Sequence, residues 1–235
     1  LSYMLENPSV QKELWKSGTF RPESLHWCKL PNDIEEEVYK IATRQSAEYV
    51  LQNLSHISGT IDRFFMLQYC IQRAPKAGLF LEFGVYNGDT VNFIAENTKE
   101  TVHGFDSFEG LPENWEACRA GQFSRNGNLP EVRENVALYP GWFDDTLPEF
   151  INNHPERVAF LHVDSDLYSS ARTVLYGLKD QIQKGTVIVF DEYFNYPKWQ
   201  DHEYRAFQEF VQEFNIDYEY IAYCSRGYSV GVIIK

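Results

Sequence analysis

From residue 79 onward the chain alternates short apolar runs with helical stretches, and this rhythm restricts the fold more than any other feature. The runs are LFLEF (79–83), TVHGF (101–105), VALYP (136–140), RVAFLHV (157–163) and GTVIVF (185–190). Each is too short and too uniformly apolar for an amphipathic helix, and reads as a strand buried on both faces. Helical patterns follow at about 88–97, 168–182 and 199–214. Alternation of this kind implies right-handed crossovers and a parallel sheet covered on both sides. The end differs: DYEYIAYC (217–224), a turn at Ser225-Arg226-Gly227, then YSVGVIIK (228–235), which reads as a closing antiparallel hairpin. The expected architecture is a doubly wound, Rossmann-like α/β core over residues 78–235. A helical N-terminal extension over 1–77 precedes it, with helices over 33–54 and 60–73. In the first, the acids Asp33, Glu35, Glu36 and Glu37 suit a helix N-terminus. In the second, Ile61, Phe64, Phe65 and Ile71 are expected to face inward. Lys76-Ala77-Gly78 then breaks the pattern.

Charge excludes some partners. The 235 residues carry 21 basic and 34 acidic side chains, a net charge of −13. A nucleic-acid binder needs a cationic footprint, and so does a protein that docks on an anionic membrane. No apolar run approaches the ~20 residues that cross a bilayer. The opening LSYMLENPSV lacks the basic start and apolar middle of a signal peptide, and it begins at Leu1 rather than Met, as a processed or partial chain would. Cys28, Cys70, Cys118 and Cys224 stand far apart, with no metal-ligand spacing, and read as reduced thiols of a cytoplasmic protein.

Ligands of such folds bind outside the C-terminal ends of the strands. At the first strand end, LEFGVYNGDT (81–90) reads Glu82-x-Gly84-x-x-x-Gly88. Gly84 lets the backbone turn tightly, and Gly88 stands where free helix N–H groups attract negative charge. The spacing is not that of a dinucleotide pyrophosphate loop, and Glu82 suits an ammonium group. Such a turn also serves purely as a strand–helix junction. At the second strand end, Asp106 lies about 20 residues beyond the glycine turn, where an acid accepts both hydroxyls of a ribose. An amine at one end and a nucleoside at the other describe S-adenosylmethionine.

Two further strand ends carry acids: HVDSDLY (162–168) and FDEYF (190–194). Asp164, Asp166, Asp191 and Glu192 therefore converge on the same rim. Close carboxylates raise one another's pKa, and either a hard cation or a shared proton relieves them. All-oxygen donors favour Mg²⁺, Ca²⁺ or Mn²⁺ over zinc. His162 reads as a strand residue and His202 as a helix residue near the site. Tyr193, Phe194, Tyr196 and Trp199 either wall a substrate pocket or pack beneath a loop.

Together EFGVYNGDT, FDSFEGLPE, YPGWFDDTLPEF (139–150), HVDSDLYSSARTVLYGL and GTVIVFDEY resemble the macrocin O-methyltransferase family, from about residue 78 to the C-terminus. The resemblance implies a class I methyltransferase fold, mostly parallel and seven-stranded, with the last strand antiparallel. It implies a site for S-adenosylmethionine at Glu82, Gly84, Tyr86, Gly88 and Thr90. Asp106 would take the ribose, Ser107, Phe108, Gln122 and Phe123 would lie near the adenine, and Asp164 would close the cofactor side. It further implies Mg²⁺ on Asp164, Asp191 and Glu192, with Asp166 as general base toward a small hydroxylated natural product. The family commonly has two aspartates where this chain has Asp191-Glu192. The N-terminal 77 residues match poorly; in such enzymes this region caps the pocket or forms homo-oligomer contacts. Two other readings remain open at this point, a nicotinamide-dependent oxidoreductase and a non-catalytic cofactor-binding protein.

Overall fold

The computed structural model describes residues 33–116 and 118–235. Cys28 and the expected extension before residue 33 lie outside the described residues. The chain divides into two compact units, 1–40 and 41–235. In the first, Asp33 Oδ1 accepts the Glu35 N–H at 3.0 Å, opening helix α1 (Ile34–Asn53). Lys40 bridges Glu36 and Glu37, both at 2.8 Å.

The second unit is built on one seven-stranded sheet, ordered β3-β2-β1-β4-β5-β7-β6. Its strands are β1 (Leu79–Phe83), β2 (Val102–Asp106), β3 (Val136–Pro140), β4 (Val158–Val163), β5 (Val187–Phe190), β6 (Tyr218–Tyr223) and β7 (Val230–Ile234). The first five run parallel, and β7 pairs antiparallel with both β5 and β6. β1, β4 and β5 are buried along their whole length. The two-residue period of a strand divides them between two cores. Leu81, Phe83, Leu161, Val163, Ile188 and Phe190 face one core, shared with helices α4 (Phe143–Asn153), α5 (Tyr168–Gly177) and α6 (Glu203–Glu213). Phe80, Phe160, Val187 and Val189 face the other, with α2 (Arg63–Ile71) and α3 (Asp89–Glu96). The doubly wound, seven-stranded expectation therefore holds.

Several local expectations are corrected. Asp62 caps α2, its Oδ1 accepting from Phe64 N (2.8 Å) and Phe65 N (3.1 Å). That start sets the phase of the helix, so Met66, Leu67, Cys70 and Ile71 meet the sheet. Ile61 and Phe65, expected inward, are 67% and 68% exposed. Helix α5 stops at Gly177 rather than 182. The chain turns back there, and the Gln181 amide donates to His154 O and Glu156 O. The expected 199–214 helix is split into a short 3-10 turn (Trp199–Asp201) and α6, with His202 non-helical between them. Helix α4 went unread because Pro148 lies inside it; proline removes a backbone donor and normally ends a helix. Among the described residues, no helix is long and apolar enough to cross a membrane, and Cys70, Cys118 and Cys224 are free.

Candidate active site

The strand order reverses between β1 and β4, and the crevice opens there. The two strand tips pass backbone against backbone. Gly84 has φ +98°, and a Cβ on it would lie 1.6 Å from Asp164 O, so no other residue fits. Gly88, at φ +87°, turns the chain into α3. A cavity of about 630 Å³ lies above these tips, within the ~300–1,000 Å³ typical of small-molecule sites. Of the expected cofactor residues, Gly84, Tyr86, Thr90, Asp106, Ser107, Phe123 and Asp164 line it. Asp166, Asp191 and Glu192 line it as well.

Glu82, Gly88, Phe108 and Gln122 do not line the cavity. Glu82 is fully buried, with Oε1 2.8 Å from His162 Nδ1 and Oε2 without a hydrogen-bond partner. His162 Nε2 lies 3.9 Å from Asp191 Oδ1. Burial alone would lower the His162 pKa, but the Asp191 and Glu82 carboxylates outweigh it and hold the imidazole up at about 10. His162 thus sits beneath the site, bridging the buried Glu82 and Asp191. Phe108 is 1% exposed, and its carbonyl accepts the N–H groups of Arg125 and Gly127. Gln122 O accepts Leu111 N–H, pinning the segment that carries Phe123 against the loop after β2. Gly110 is required at this approach, since a Cβ there would stand 2.4 Å from Gln122 O.

Asp106 is fixed by three backbone donors: Val85 N and Tyr86 N on Oδ2, both 2.8 Å, and Phe108 N on Oδ1, 2.7 Å. A carboxylate offers about four lone-pair directions, so this arrangement leaves about one open. Tyr86, Phe108, Phe123 and Asp166 all have positive φ. Non-glycine residues rarely adopt it, and such strain collects at functional sites.

The acids gather as the strand tips dictate, with one change of grouping. Oxygens of Asp164, Asp166 and Glu192 lie within 4.8 Å of one another. Glu192 is 9% exposed, and its Oε2 has no hydrogen-bond partner. Asp191 stands aside: Arg63 Nη1 donates to its Oδ2 at 2.8 Å and Ser229 Oγ to its Oδ1 at 2.9 Å. Burial works to raise Asp191, but His162, Arg63 and Ser229 outweigh it and bring it down to about 2. The others move up. Burial, with the Asp191 and Asp106 charges, pushes Asp166 to about 7. Burial and the Asp191 charge raise both Asp164 and Glu192.

Sequence reasoning missed Glu203. It is fully buried at the first turn of α6, and burial pushes its carboxyl up to about 8 against the bonds it accepts. Oε1 accepts Ser165 N–H and Oε2 accepts Glu192 N–H, each at 3.1 Å. One side chain therefore ties the loop after β4 to the loop after β5. Arg63, Trp142, Phe143 and Trp115 also line the cavity unannounced. His202 does not line it; its Nε2 lies 3.2 Å from Glu116 Oε1. Tyr193, Phe194, Tyr196 and Trp199 are buried in the core rather than on the cavity wall.

A seven-stranded sheet with β7 antiparallel between β5 and β6, and a cavity at the β1–β4 reversal, define the class I methyltransferase fold. Among solved structures, the O-methyltransferase NovP is similar with a TM-score of 0.54 and 25% identity, over 73% of this chain and 78% of that one. The calicheamicin methyltransferase CalS11 shares the fold, with a TM-score of 0.56 and 18% identity, over 97% and 93%. The model of the macrocin-O-methyltransferase (TylF) family matches residues 34–223, and the chain belongs to that family. It is 31% identical to demethyldecarbamoylnovobiocin O-methyltransferase of Streptomyces niveus, over 65% of this chain and 68% of that protein. It is 29% identical to 8-demethyl-8-(2,3-dimethoxy-alpha-L-rhamnosyl)-tetracenomycin-C 4'-O-methyltransferase of Streptomyces olivaceus, over 60% and 64%. The chain thus spans about two thirds of the length of these relatives, which are O-methyltransferases of natural-product pathways.

Proposed function

We propose that this chain is an S-adenosylmethionine-dependent O-methyltransferase, assisted by Mg²⁺, acting on a hydroxyl of a sugar-bearing or polyketide-like natural product. One observation carries the reading. A single cavity holds the Gly84 turn and Asp106 on one side and the acids after β4 and β5 on the other. The relatives' substrates support the acceptor class.

The residues fit both groups. Gly84 stands on the cavity wall, where its tight turn out of β1 lets the Asp164 backbone pass directly against it and bring the acid loop beside the cofactor side. Asp106 has one acceptor direction left for a ribose hydroxyl, and Phe123 and Tyr86 supply aromatic surface at the wall. The acid cluster offers only oxygen donors, one of them buried and unpartnered, which suits a hard divalent cation. Asp164 and Glu192 would hold that cation. When bound, the cofactor supplies an activated methyl group and Mg²⁺ supplies charge neutralisation beside an acceptor oxygen.

The chain's own work is orientation and proton removal. Asp166, poised at about 7, takes the acceptor's hydroxyl proton near neutral pH, where a general base is most effective. Its carboxylate stands within 4.8 Å of those of Asp164 and Glu192, on a backbone held at positive φ. Glu203 fixes the spacing of the two acid loops, and Asp106 stays locked by its backbone donors. The test is mass spectrometry of hydroxylated glycosides and polyketides after incubation with S-adenosylmethionine and Mg²⁺. Gain of one methyl group, lost in EDTA and restored by Mg²⁺, is expected. Methylation undiminished in EDTA removes the metal, and absence of methylation across acceptors removes the enzymatic reading.

A further inference from the structure

Arg63 is the only cationic side chain among the described residues that line the cavity, and it faces a wall of carboxylates. It occupies the first position of α2 and is 44% exposed, while its partner Asp191 is 9% exposed. The guanidinium reaches in from a helix end to a carboxylate anchored from behind by Ser229 and His162. Only Asp191 Oδ2 faces Arg63, at 2.8 Å. In the neighbouring cluster Asp164 and Glu192 offer one carboxylate oxygen each, and hard cations take about six oxygens. Asp191 immediately precedes Glu192 and lines the same cavity as Asp164 and Asp166, so it is the carboxylate at hand to extend that shell.

We infer that Arg63 is a placeholder cation: it and the divalent metal compete for the same Asp191 carboxylate, and metal entry transfers Asp191 from the salt bridge to the metal. This rests on the metal reading given above and adds to it a residue that controls loading. The exchange is physically cheap on the arginine side. Arg63 is half exposed, with a long flexible arm, and water solvates its head when it swings out. On the Asp191 side, Ser229 and His162 keep hold of the other oxygen, Oδ1, while Oδ2 changes partner. A released Arg63 presents its guanidinium to the cavity, where an anionic group of a bound ligand meets it. Metal loading and anion recognition are thereby coupled through one side chain.

The test is calorimetric titration of MgCl₂ into the full chain at constant ionic strength, for wild type, Arg63→Ala, Asp191→Asn and the double variant. Thermal melts confirm that each is folded, and Arg63→Gln serves as a second, longer replacement. Arg63→Ala is expected to tighten Mg²⁺ about tenfold, a step of ~1.4 kcal/mol. In the Asp191→Asn background the same change is expected to leave affinity nearly unaltered, since the contested group is gone. Unchanged or weaker binding by Arg63→Ala overturns the proposal. Equal tightening in both backgrounds also overturns it, since that is the signature of a distant field rather than competition. If neither wild type nor any variant binds Mg²⁺, the metal reading itself falls and this inference with it.

Discussion

The interiors and the tips of β4 and β5 are built on opposite terms. Along the strands, Val158–Val163 and Val187–Phe190 are wholly buried and, His162 aside, apolar. Within three residues of their ends stand Asp164, Asp166, Asp191 and Glu192. The interior gains free energy from every apolar side chain removed from water. The tips crowd like charges and push three of the four carboxyls up. The difference teaches that the sheet supplies the stability that holds an unfavourable cluster together, a cost that the proposed metal site would account for.

Truncating the interior sharpens that contrast most. Phe160 is fully buried in β4 and stacks on Phe80. Phe160→Ala is expected to destabilise the chain by ~3–5 kcal/mol, measured by urea denaturation, while the fraction still folded binds cofactor normally. A loss below ~1 kcal/mol would break the account of the core. At the tips the expected effects reverse. Asp166→Asn should fold at least as well as wild type, keep cofactor affinity and lower turnover by at least ~10²-fold, the scale of a lost general base. Near-normal turnover would assign proton removal elsewhere.

Glu203 tests the link between the two acid loops. Glu203→Gln leaves one of two buried N–H groups without an acceptor, a cost of about 1–3 kcal/mol. It is expected to weaken Mg²⁺ binding as the loops part; unchanged affinity would mean that the loops hold their own spacing. The pH dependence of stability reads these groups together. A carboxyl whose pKa is raised by folding contributes stability that is complete below its ordinary value and lost as pH rises through the folded value. For Glu203 that window runs from 4.5 to about 8, and Asp166 acts in the same sense up to about 7. His162, raised from 6.5 to about 10, acts in the same sense, its contribution declining from about pH 6.5 upward. Asp191, brought down to about 2 from 3.8, contributes stability lost only in acid. In EDTA the melting temperature is therefore expected to fall as pH rises from about 5 to about 8, and Glu203→Gln should flatten the slope. A melting temperature that rises over this range contradicts the electrostatics of the tips.

Much of this contrast was legible in the sequence. The strands announced themselves because a parallel sheet buried on both faces demands uninterrupted apolar runs. Gly84 was legible because a tight exit from β1 needs it, and the acids because carboxylates rarely follow such runs in pairs. What escaped depends on contacts between distant segments. Glu203 matters only because Ser165 and Glu192 present N–H groups to it across the fold. Arg63 matters only because α2 brings it to Asp191, more than a hundred residues away in sequence. The inward face of α2 was misjudged because Asp62 sets the helix phase, and periodicity alone did not separate Phe65 from Met66. Helix α4 was hidden by Pro148.

The central claim is that the tips of β4 and β5 form a divalent-cation site at the stability cost of the chain. Paired titration and melting of wild type and Asp164→Asn with Mn²⁺ tests it most directly. The account expects the variant to melt higher without added metal, because one crowded charge is gone, and to lose Mn²⁺ binding. A variant that binds Mn²⁺ as tightly as wild type, or that melts lower, contradicts it.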